Sequence, residues 1–337
     1  MTLSVKRTTL FAGLAAAVTV ASGSLPAFKT SAAAFAATLT KATEVTNWFA
    51  EPEQGGQWEA QAKGDYAKLG LDMTTNQGGP QVSSIPLVAS GKYTFGMASA
   101  DSILQARQQG IPVVAIFSPY QIDPQVLIWH KSSGIKSFKD INGHPVYVSA
   151  AAPYWQYLKS KYKLTKSQQM TYTGSLVPFI HNPLAVIQGF ATAEPYTLAK
   201  DKVSVSYELI ANSGFNPYQN LMFTTEKEIK DHPNVVAAFV KASQQGWYQY
   251  LANPTAGDSL IVKNSPDYTK PQLLYAVKEE KALIVGGIAA KRGIGYMTPQ
   301  RWNRLAKQME QVGMLPKGFD ASSAFTDKFI PSTPLKS

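Results

Sequence analysis

The sequence predicts an α/β protein of two lobes that are joined by two crossover strands, with a ligand cleft at the hinge between them. From Val45 onward, short runs of β-forming residues alternate with helical stretches, which is the pattern of a parallel or mixed sheet covered by helices. About 300 residues remain after the N-terminal segment discussed below, and this exceeds what one compact hydrophobic core usually holds. A chain that leaves its first lobe once and returns once crosses the hinge twice.

The predicted strands are short runs of β-forming residues: Val45–Phe49, Leu71–Asn76, Phe95–Ala98, Val113–Phe117, Val126–His130, Pro145–Ser149, Met170–Thr173, Gly189–Ala191, Ser206–Ile210 and Asn220–Thr225. The predicted helices place apolar residues at helical spacing: Gly56–Lys68, Pro80–Ser90, Tyr154–Tyr162, Asn234–Ala252, Lys270–Val277 and Thr298–Val312. The last of these opens with Thr298 as its N-cap and Pro299 as its first helical residue.

These elements divide the chain into a discontinuous first lobe and a continuous second lobe. Residues 43–127 and 219–325 are predicted to form the first lobe, and residues 128–218 are predicted to form the second. Residues 326–337 are rich in Ser, Thr and Pro and are expected to form a loose tail. The sequence contains no internal repeat, which excludes a solenoid.

Residues 1–36 have the layout of a secretory signal peptide. Lys6 and Arg7 precede the apolar stretch Leu10–Val20, and small residues ending in Ala34–Ala36 follow it. We expect cleavage near Ala36–Ala37. The apolar stretch is too short to span a hydrocarbon core, which needs about 20 apolar residues, so the mature protein is expected to be soluble.

The sequence contains no cysteine. This excludes disulfides, thiolate metal sites, a cysteine nucleophile and a lipid-modified N-terminal cysteine. An exported protein without a lipid anchor suits a compartment that an outer membrane encloses. We therefore expect the protein in the periplasm.

The net charge of +10 raises the question of nucleic-acid binding, but the distribution of the charges argues against it. The lysines are scattered, and no Lys/Arg run is interleaved with aromatic residues as a strand-binding groove requires. The histidines, at positions 130, 144, 181 and 232, lack the spacing of a metal site. We expect a solvated basic surface and no nucleic-acid partner, metal ion or cofactor.

Motifs spread over nearly all of the chain after the signal peptide carry a family signal: Asn47–Gly56, Gly78–Pro80, Gly96–Asp101, Gly110–Val113, Ser133–Ile135, Ala193–Tyr196 and Gly293–Met297. In these motifs the chain resembles the thiamine-precursor, sulfonate and nitrate branch (SsuA/THI5-like, NMT1) of ABC transporter substrate-binding proteins. The resemblance implies the fold of a type II periplasmic binding protein, and it implies an ABC permease and its ATPase as partners. The first motif most resembles binders of thiamine pyrimidine precursors such as hydroxymethylpyrimidine or formylaminopyrimidine.

The same branch includes enzymes that build the pyrimidine from histidine and pyridoxal phosphate. The resemblance implies a cysteine-rich iron-binding segment and a reactive Lys and His in such an enzyme. Here cysteine is absent, and Ala98 and Ser102 align with that Lys and His. Gln54 also stands where many relatives have His. Since the Gly-x-Ser-x-Gly elbow of hydrolases is missing as well, we expect a binding protein without catalytic residues.

Ligand sites in two-lobed α/β proteins lie outside the carboxyl ends of the strands, so residues that follow strands are the candidates. After the first predicted strand, Trp48 offers an indole for stacking on a flat ring, and Asn47 offers an amide donor and acceptor. The alternative for Trp48 is packing in the core. Glu51 and Glu53 are either ligand acceptors or solvated acids that favour the start of the next helix.

Further first-lobe candidates follow the second and third predicted strands. Gly78 and Gly79 allow the backbone to approach a ligand closely, and free N–H groups at the helix start after them bind an anionic or carbonyl group. An ordinary glycine turn is the alternative. Ser99 is a candidate hydrogen-bond donor.

The second lobe offers Tyr154 and Trp155 at the start of a helix, and Glu194 and Tyr196 after a strand. A carboxylate at Glu194 facing an aromatic shelf suits an aminopyrimidine, because the ring nitrogen and the adjacent amino group pair with two carboxylate oxygens. The alternatives are hinge packing for the helix-start pair and a surface acid at a turn for Glu194.

The candidate cleft carries acids, amides and aromatic rings, whereas sulfonate, nitrate and phosphate favour arginine forks or dense N–H donors. This composition favours a flat, neutral or weakly basic nitrogen heterocycle. Riboflavin stays open as an alternative, as do sulfonate, taurine and nitrate. We expect a monomer that captures a small-molecule ligand by hinge closure and presents the closed form to the permease.

Overall fold

A computed structural model of the protein describes residues 39–79, 82–150 and 152–333. The predicted signal peptide, residues 1–36, lies outside these ranges. Within them, no helix combines the length and the apolarity that crossing a membrane requires. The predicted α/β class is confirmed, because the described strands form two five-stranded sheets with helices around them.

The strands, numbered along the chain, are β1 Thr40–Val45, β2 Leu71–Asn76, β3 Phe95–Ala98, β4 Val113–Phe117, β5 Gln125–His130, β6 Pro145–Val148, β7 Gln168–Thr171, β8 Val186–Phe190, β9 Val205–Leu209 and β10 Leu221–Thr225. β2, β3 and β4 begin and end where the sequence predicts. The strands β5 to β10 differ from prediction by one to three residues at an end.

The first predicted strand, Val45–Phe49, is wrong. β1 covers Thr40–Val45 and pairs in parallel with β2 over its whole length. Beyond it, the Thr46 hydroxyl donates to the carbonyl of Trp48 at 2.7 Å and closes a turn. Residues 46–54 therefore form a loop at the carboxyl end of β1, which we call the β1 loop.

The two sheets have the same strand order, β2-β1-β3-β10-β4 in the first and β7-β6-β8-β5-β9 in the second. In each sheet three strands run parallel, and a strand from elsewhere in the chain, β10 or β5, lies antiparallel between the third strand and the edge strand. β5 pairs only within the second sheet. The lobe boundary predicted between residues 127 and 128 thus falls inside a second-sheet strand, and we place it before Gln125.

The helices are α1 Gly55–Ala62, α2 Asp65–Lys68, α3 Ser84–Ala89, α4 Ala100–Gln108, α5 Pro153–Tyr162, α6 Val177–Ile180, α7 Glu194–Lys200, α8 Glu226–Asp231, α9 Pro233–Ala252, α10 Thr255–Asn264, α11 Lys270–Ile284, α12 Gly287–Arg292 and α13 Pro299–Gln311. The predicted helix Gly56–Lys68 is broken in two, because Gly64 adopts a left-handed conformation with φ of 67°. The predicted helix Pro80–Ser90 begins later, at Ser84. Thr298 caps α13 as predicted, since its hydroxyl accepts a backbone N–H of the first turn at 3.3 Å.

Close packing of α1 on α9 holds the β1 loop to the first lobe. A Cβ added at Gly246 would lie 2.1 Å from the carbonyl oxygen of Gly56, and one added at Gly55 would lie 2.1 Å from the ring of Tyr250. Only glycine permits an approach this close. Trp247 is fully buried at the same contact.

The chain crosses between the sheets through residues 118–124 after β4 and through residues 210–220 after β9. Arg301 of α13 ties these crossovers together. Its guanidinium donates to the carbonyl of Gln121 at 2.6 Å in the first crossover and to the carbonyl of Pro217 at 2.6 Å in the second. The Arg301 side chain therefore clamps the two crossovers of the hinge together.

Residues 326–333 are anchored to the first lobe, so the prediction of a loose tail is wrong for this part of the chain. Ile330 is buried, and the Tyr248 hydroxyl donates to the carbonyl of Thr333 at 2.6 Å. The prediction rested on composition. The composition of a segment carries no information about its hydrogen bonds to side chains that are distant in sequence.

Candidate ligand-binding site

A cavity of about 270 Å³ lies where loops of both lobes meet. The β1 loop, the ends of β6, β7 and β8, the start of α7 and two positions beside the crossovers supply its walls. The lining residues are Asn47, Trp48, Glu51, Glu53, Gln125, Ser149, Tyr172, Gln188, Gly189, Phe190, Ala193, Glu194 and Gln219. The described part of this wall contains carboxyls, amides and aromatic rings, and it contains no Lys, Arg or His.

Trp48 forms one side of the cavity. Its indole is partly exposed and meets the ring of Phe49 edge-on, with 5.8 Å between centroids. It also lies 3.8 Å from the position that a Cβ at Gly174 would take, so it reaches the loop after β7 in the second lobe. The N–H of Gly78 donates to the carbonyl of Trp48 at 2.9 Å and fixes its backbone. A fixed indole beside a small cavity suits stacking on a flat ring.

Asn47 and Asn220 connect the β1 loop to the return crossover. Asn47 Nδ2 donates to Asn220 Oδ1 at 2.8 Å, and Asn220 Nδ2 donates to the carbonyl of Glu53 at 3.1 Å. The other Asn47 polar atom, Oδ1, is buried without a hydrogen-bond partner in the described part of the chain. Because buried acceptors are normally satisfied, this oxygen is available to a ligand donor.

Glu51 and Glu53 belong to the single turn that precedes α1. Glu53 is 1% exposed, and its Oε1 accepts from the hydroxyl of Thr192. Burial raises the pKa of Glu53. Burial, together with the carboxyls of Glu53 and Glu194, raises the pKa of Glu51 well above its usual value. The first-lobe wall thus holds protons more tightly than exposed glutamates do.

Glu194 is the carboxyl that the second lobe contributes, from the first turn of α7. Its Oε2 accepts the N–H of Phe190 at 2.6 Å. Burial raises the pKa of Glu194 to about 7 and the Glu53 carboxyl adds to the rise, whereas hydrogen bonds from Phe190 and Tyr172 oppose it. Protonated and ionised forms are therefore both populated near neutral pH. The protonated form presents a donor and an acceptor on one edge.

Two glutamine amides complete the second-lobe wall in fixed orientations. Gln188 Oε1 accepts the hydroxyl of Tyr154 and the N–H of Ser149, both at 2.7 Å. Gln125 Nε2 donates to the carbonyl of Gly189 at 2.9 Å. Since each amide is held by protein partners, the wall is ordered before any ligand enters.

Part of the predicted set lines the cavity: Asn47, Trp48, Glu51, Glu53 and Glu194. Tyr154 lies behind the wall and acts on it through Gln188. The residues that follow β1 and the residue at the start of α7 are therefore brought together across the cleft.

The other predicted residues lie elsewhere. A Cβ at Gly78 would lie 2.2 Å from a backbone carbonyl of the β1 loop, and one at Gly79 would lie 3.2 Å from the Phe49 ring in the same loop. Both glycines therefore pack against the β1 loop and do not line the cavity. The Ser99 hydroxyl bonds to another serine at the start of α4, at 2.9 Å. Trp155 is fully buried in α5, and the Tyr196 ring packs against an α11 tyrosine at 5.3 Å.

Several lining residues were missed from sequence: Gln125, Ser149, Tyr172, Gln188 and Gln219. The predicted β7 is two residues too late at both ends, and the predicted β8 is three residues too late at its start and one at its end, which places Tyr172 inside a strand and Gln188 outside one. With the correct bounds, the residues near the carboxyl ends of both strands would be predicted to belong to the site.

Two further observations bear on the chemistry of the cavity. Within the described ranges, no group of three or more His, Cys, Asp or Glu side chains is placed to hold a metal ion. Ala98 and Ser102, the positions at which the resemblance implies a reactive Lys and His in the pyrimidine-building enzymes, are not among the lining residues.

Comparison with known proteins finds a matching family and relatives that include a binding protein and synthases. Residues 51–257 match the NMT1/THI5-like family. The riboflavin-binding protein RibY of Chloroflexus aurantiacus is 26% identical over 309 residues, which cover 87% of this chain and 87% of that protein. A 4-amino-5-hydroxymethyl-2-methylpyrimidine phosphate synthase of Legionella pneumophila is 22% identical over 304 residues, which cover 88% of this chain and 94% of that protein.

The fold matches solved structures as well. The periplasmic aliphatic sulphonate-binding protein SsuA of Escherichia coli superimposes with a TM-score of 0.66 at 11% identity, covering 89% of this chain and 94% of that chain. The predicted two-lobed fold of periplasmic binding proteins is thereby confirmed. Since the family match also spans more than half of the sequence, the chain belongs to the NMT1/THI5-like family.

Proposed function

We propose that the protein is the solute-binding component of an ABC importer and that it captures a thiamine pyrimidine precursor, a small flat nitrogen heterocycle, by closing its lobes. The observation that carries this proposal is the composition of the cavity wall. Its described residues supply an indole, three carboxyls and several amides, without Lys, Arg or His. Such a wall offers a ring face for stacking and acceptors for N–H groups.

Glu194 supplies the contact that selects an aminopyrimidine edge. With a pKa of about 7, its protonated carboxyl donates to a ring nitrogen and accepts from the adjacent amino group. When ionised, it pairs in the same way with a protonated ring. Paired hydrogen bonds of this kind are strong and directional.

Riboflavin is the second candidate ligand, because the relative RibY is named as a riboflavin-binding protein. The cavity size favours the pyrimidine. A volume of about 270 Å³ lies just below the roughly 300–1,000 Å³ usual for ligand pockets. It suits one ring better than the three fused rings and ribityl chain of a flavin.

Anionic ligands and an enzymatic role are both disfavoured, the first by the cavity wall and the second by the sequence. Sulfonate, taurine and nitrate favour guanidinium forks or dense N–H donors, and the described wall of the cavity contains no Lys, Arg or His. The synthase among the relatives raises the enzymatic alternative. Against it stand the absence of cysteine and the presence of Ala98 and Ser102 at the positions aligned with a reactive Lys and His.

The fold and the composition of the N-terminal residues support the transport role. Residues 1–36 direct the protein to the periplasm, where it acts as a monomer. The closed, ligand-bound form is presented to a permease, and the partner ATPase supplies the energy. The likeness in fold to a periplasmic sulphonate-binding protein supports this assignment.

Thermal unfolding of the protein without residues 1–36 tests the ligand. A ligand selective for the folded state raises the melting temperature, with about 2.7 kcal/mol gained at 100 times Kd. We expect hydroxymethylpyrimidine or formylaminopyrimidine to give the largest rise, riboflavin a smaller one, and taurine, alkanesulfonates and nitrate none. Glu194→Ala abolishes the rise, and Glu208→Ala, which removes a partly exposed acid of β9 outside the cavity, preserves it.

A rise with alkanesulfonates or nitrate alone would contradict the pyrimidine assignment and leave the transport role standing. A rise with riboflavin that exceeds the pyrimidines would transfer the assignment to the second candidate.

A further inference from the structure

Glu53 lies where the two lobes touch inside the cavity. It belongs to the turn before α1 in the first lobe, whereas Thr192 follows β8 in the second lobe, 139 residues further along the chain. Both side chains are 1% exposed. The Thr192 hydroxyl donates to Glu53 Oε1, so this carboxylate forms a direct hydrogen bond between the lobes.

The second oxygen of the same carboxylate is free for another contact. Glu53 Oε2 is buried and has no hydrogen-bond partner within the described ranges, and Glu53 lines the cavity. A buried polar atom left unpaired is costly. The described wall of the cavity contains no Lys, Arg or His that could supply a cation to this oxygen.

The backbone of Glu53 is held from the hinge side. Its carbonyl accepts Asn220 Nδ2 at 3.1 Å, and Asn220 in turn accepts Asn47 Nδ2 at 2.8 Å. Asn220 is fully buried on the return crossover and has a φ of 48°, in the left-handed region that asparagine tolerates better than most residues. Backbone held in this region concentrates at ligand clamps. Glu53 is therefore fixed to both the first lobe and the hinge.

We propose that Glu53 couples ligand recognition to lobe closure: Oε1 holds Thr192 across the cleft while Oε2 accepts an N–H or O–H donor of the ligand. This rests on the proposed solute-binding function. A ligand that presents a donor toward Glu53 satisfies the second oxygen of a carboxylate whose first oxygen is bonded to Thr192 across the cleft. A ligand without a donor on that edge leaves a buried oxygen unpaired and stabilises closure less.

The affinity test uses hydroxymethylpyrimidine as probe and isothermal titration calorimetry as readout. Thr192→Val removes the hydroxyl at nearly constant volume and is expected to weaken binding by about 10- to 100-fold, as for a hydrogen bond to a charged group. Thr192→Ser keeps the donor and is expected to stay within about threefold of the parent protein. Glu53→Gln places an amide N–H against either the Thr192 hydroxyl or the ligand donor. We expect it to weaken binding more than Thr192→Val does.

A second readout does not depend on any ligand. Because the chain has no cysteine, labels attached to Lys92→Cys in the first lobe and Lys166→Cys in the second report one distance between lobes. Both positions are exposed. We expect ligand-free Thr192→Val to shift this distance away from the value of the parent protein, and Thr192→Ser and Glu53→Gln to preserve it, since each keeps the pairing of hydroxyl and carbonyl oxygen.

The outcomes separate the coupling from the function. Equal affinities and equal distances for Thr192→Val, Thr192→Ser and the parent protein would overturn the coupling. If the parent protein binds no pyrimidine, the proposed ligand fails, and riboflavin, or whichever panel compound raises the melting temperature, replaces it as probe. The ligand-free distance then still decides whether Thr192 and Glu53 hold the lobes together.

Discussion

The two sheets share one topology but differ in where their lobes place charge. Each consists of three parallel strands, an antiparallel strand from outside and an edge strand. In the first lobe and crossovers, carboxyls are buried: Glu44, Glu53, Glu59, Asp65, Asp101, Asp123 and Glu280. Among the described residues of 125–209, no carboxyl is buried to that degree. That segment instead contains nine Lys against four Asp or Glu.

The shared strand order positions the loops of the two lobes but does not determine the chemistry of their side chains. Buried carboxyls of the first lobe reach the cavity through Glu53, while the second lobe keeps most of its charge in solvent and contributes Glu194. We expect this difference between the lobes to affect the free energy of unfolding more than it affects ligand binding. The reason is that buried acids hold protons that the unfolded chain releases.

The largest expected effect concerns Glu44 in β1. Burial raises its pKa from the usual 4.5 to about 8, and a hydrogen bond from Thr75 opposes the rise. Between these two values the unfolded chain loses the proton while the folded chain keeps it, so stability falls as pH rises. Glu44→Gln removes this loss, which is at most about 5 kcal/mol at about 1.4 kcal/mol per pKa unit.

Urea unfolding of Glu44→Gln and the parent protein from pH 5 to pH 8 measures the effect. The two free energies of unfolding are expected to diverge as pH rises, with the variant more stable at pH 8. Glu208→Gln is the matched control in a second-sheet strand, where a partly exposed carboxyl gives a much smaller divergence. Parallel curves for Glu44→Gln would break the contrast between the lobes.

The next effect concerns the hinge that joins the lobes. Arg301→Met removes the guanidinium and leaves crossover carbonyls at Gln121, Asn216 and Pro217 without their donor. We expect a loss of about 3 kcal/mol, as for other broken buried charged networks. Arg301→Lys is expected to recover only part of it, because one ammonium cannot match the planar fork.

Denaturant unfolding of the parent protein and of Arg301→Met, followed by two probes, tests whether the two lobes unfold together. If the hinge makes the lobes cooperative, the parent protein unfolds in one transition, and Arg301→Met separates it into two. A single transition with unchanged midpoint in the variant would show that the clamp contributes nothing.

The smallest effect concerns the anchored C-terminal segment. Tyr248→Phe removes the hydrogen bond to Thr333 and one to the N–H of Ile294. We expect a loss of about 1 kcal/mol, the usual net value of a hydrogen bond, seen as a melting temperature lower by about 2 °C. Tyr207→Phe, on an exposed second-lobe tyrosine, is the control, and an equal change in both variants would contradict the anchoring.

Local pattern was enough to predict much of the fold. The bounds of β2, β3 and β4 follow from runs of β-forming residues, and the cap at Thr298 follows from side-chain chemistry within one turn. The rule that sites lie beyond strand ends also selected Trp48 and Glu194, which line the cavity. These inferences succeeded because the determining interactions lie within a few residues of each other.

Tertiary structure decided what depends on distant partners. Trp155 and Trp48 both follow strands, yet Trp155 is fully buried and Trp48 reaches the cavity. The hydrogen bond from Thr192 to Glu53 joins positions 139 residues apart, and no local pattern encodes it. The sequence by itself determined the two-lobed α/β class and several wall residues. The folded chain decided which side chains share the cavity, because burial and cross-cleft hydrogen bonds exist only once both lobes are in place.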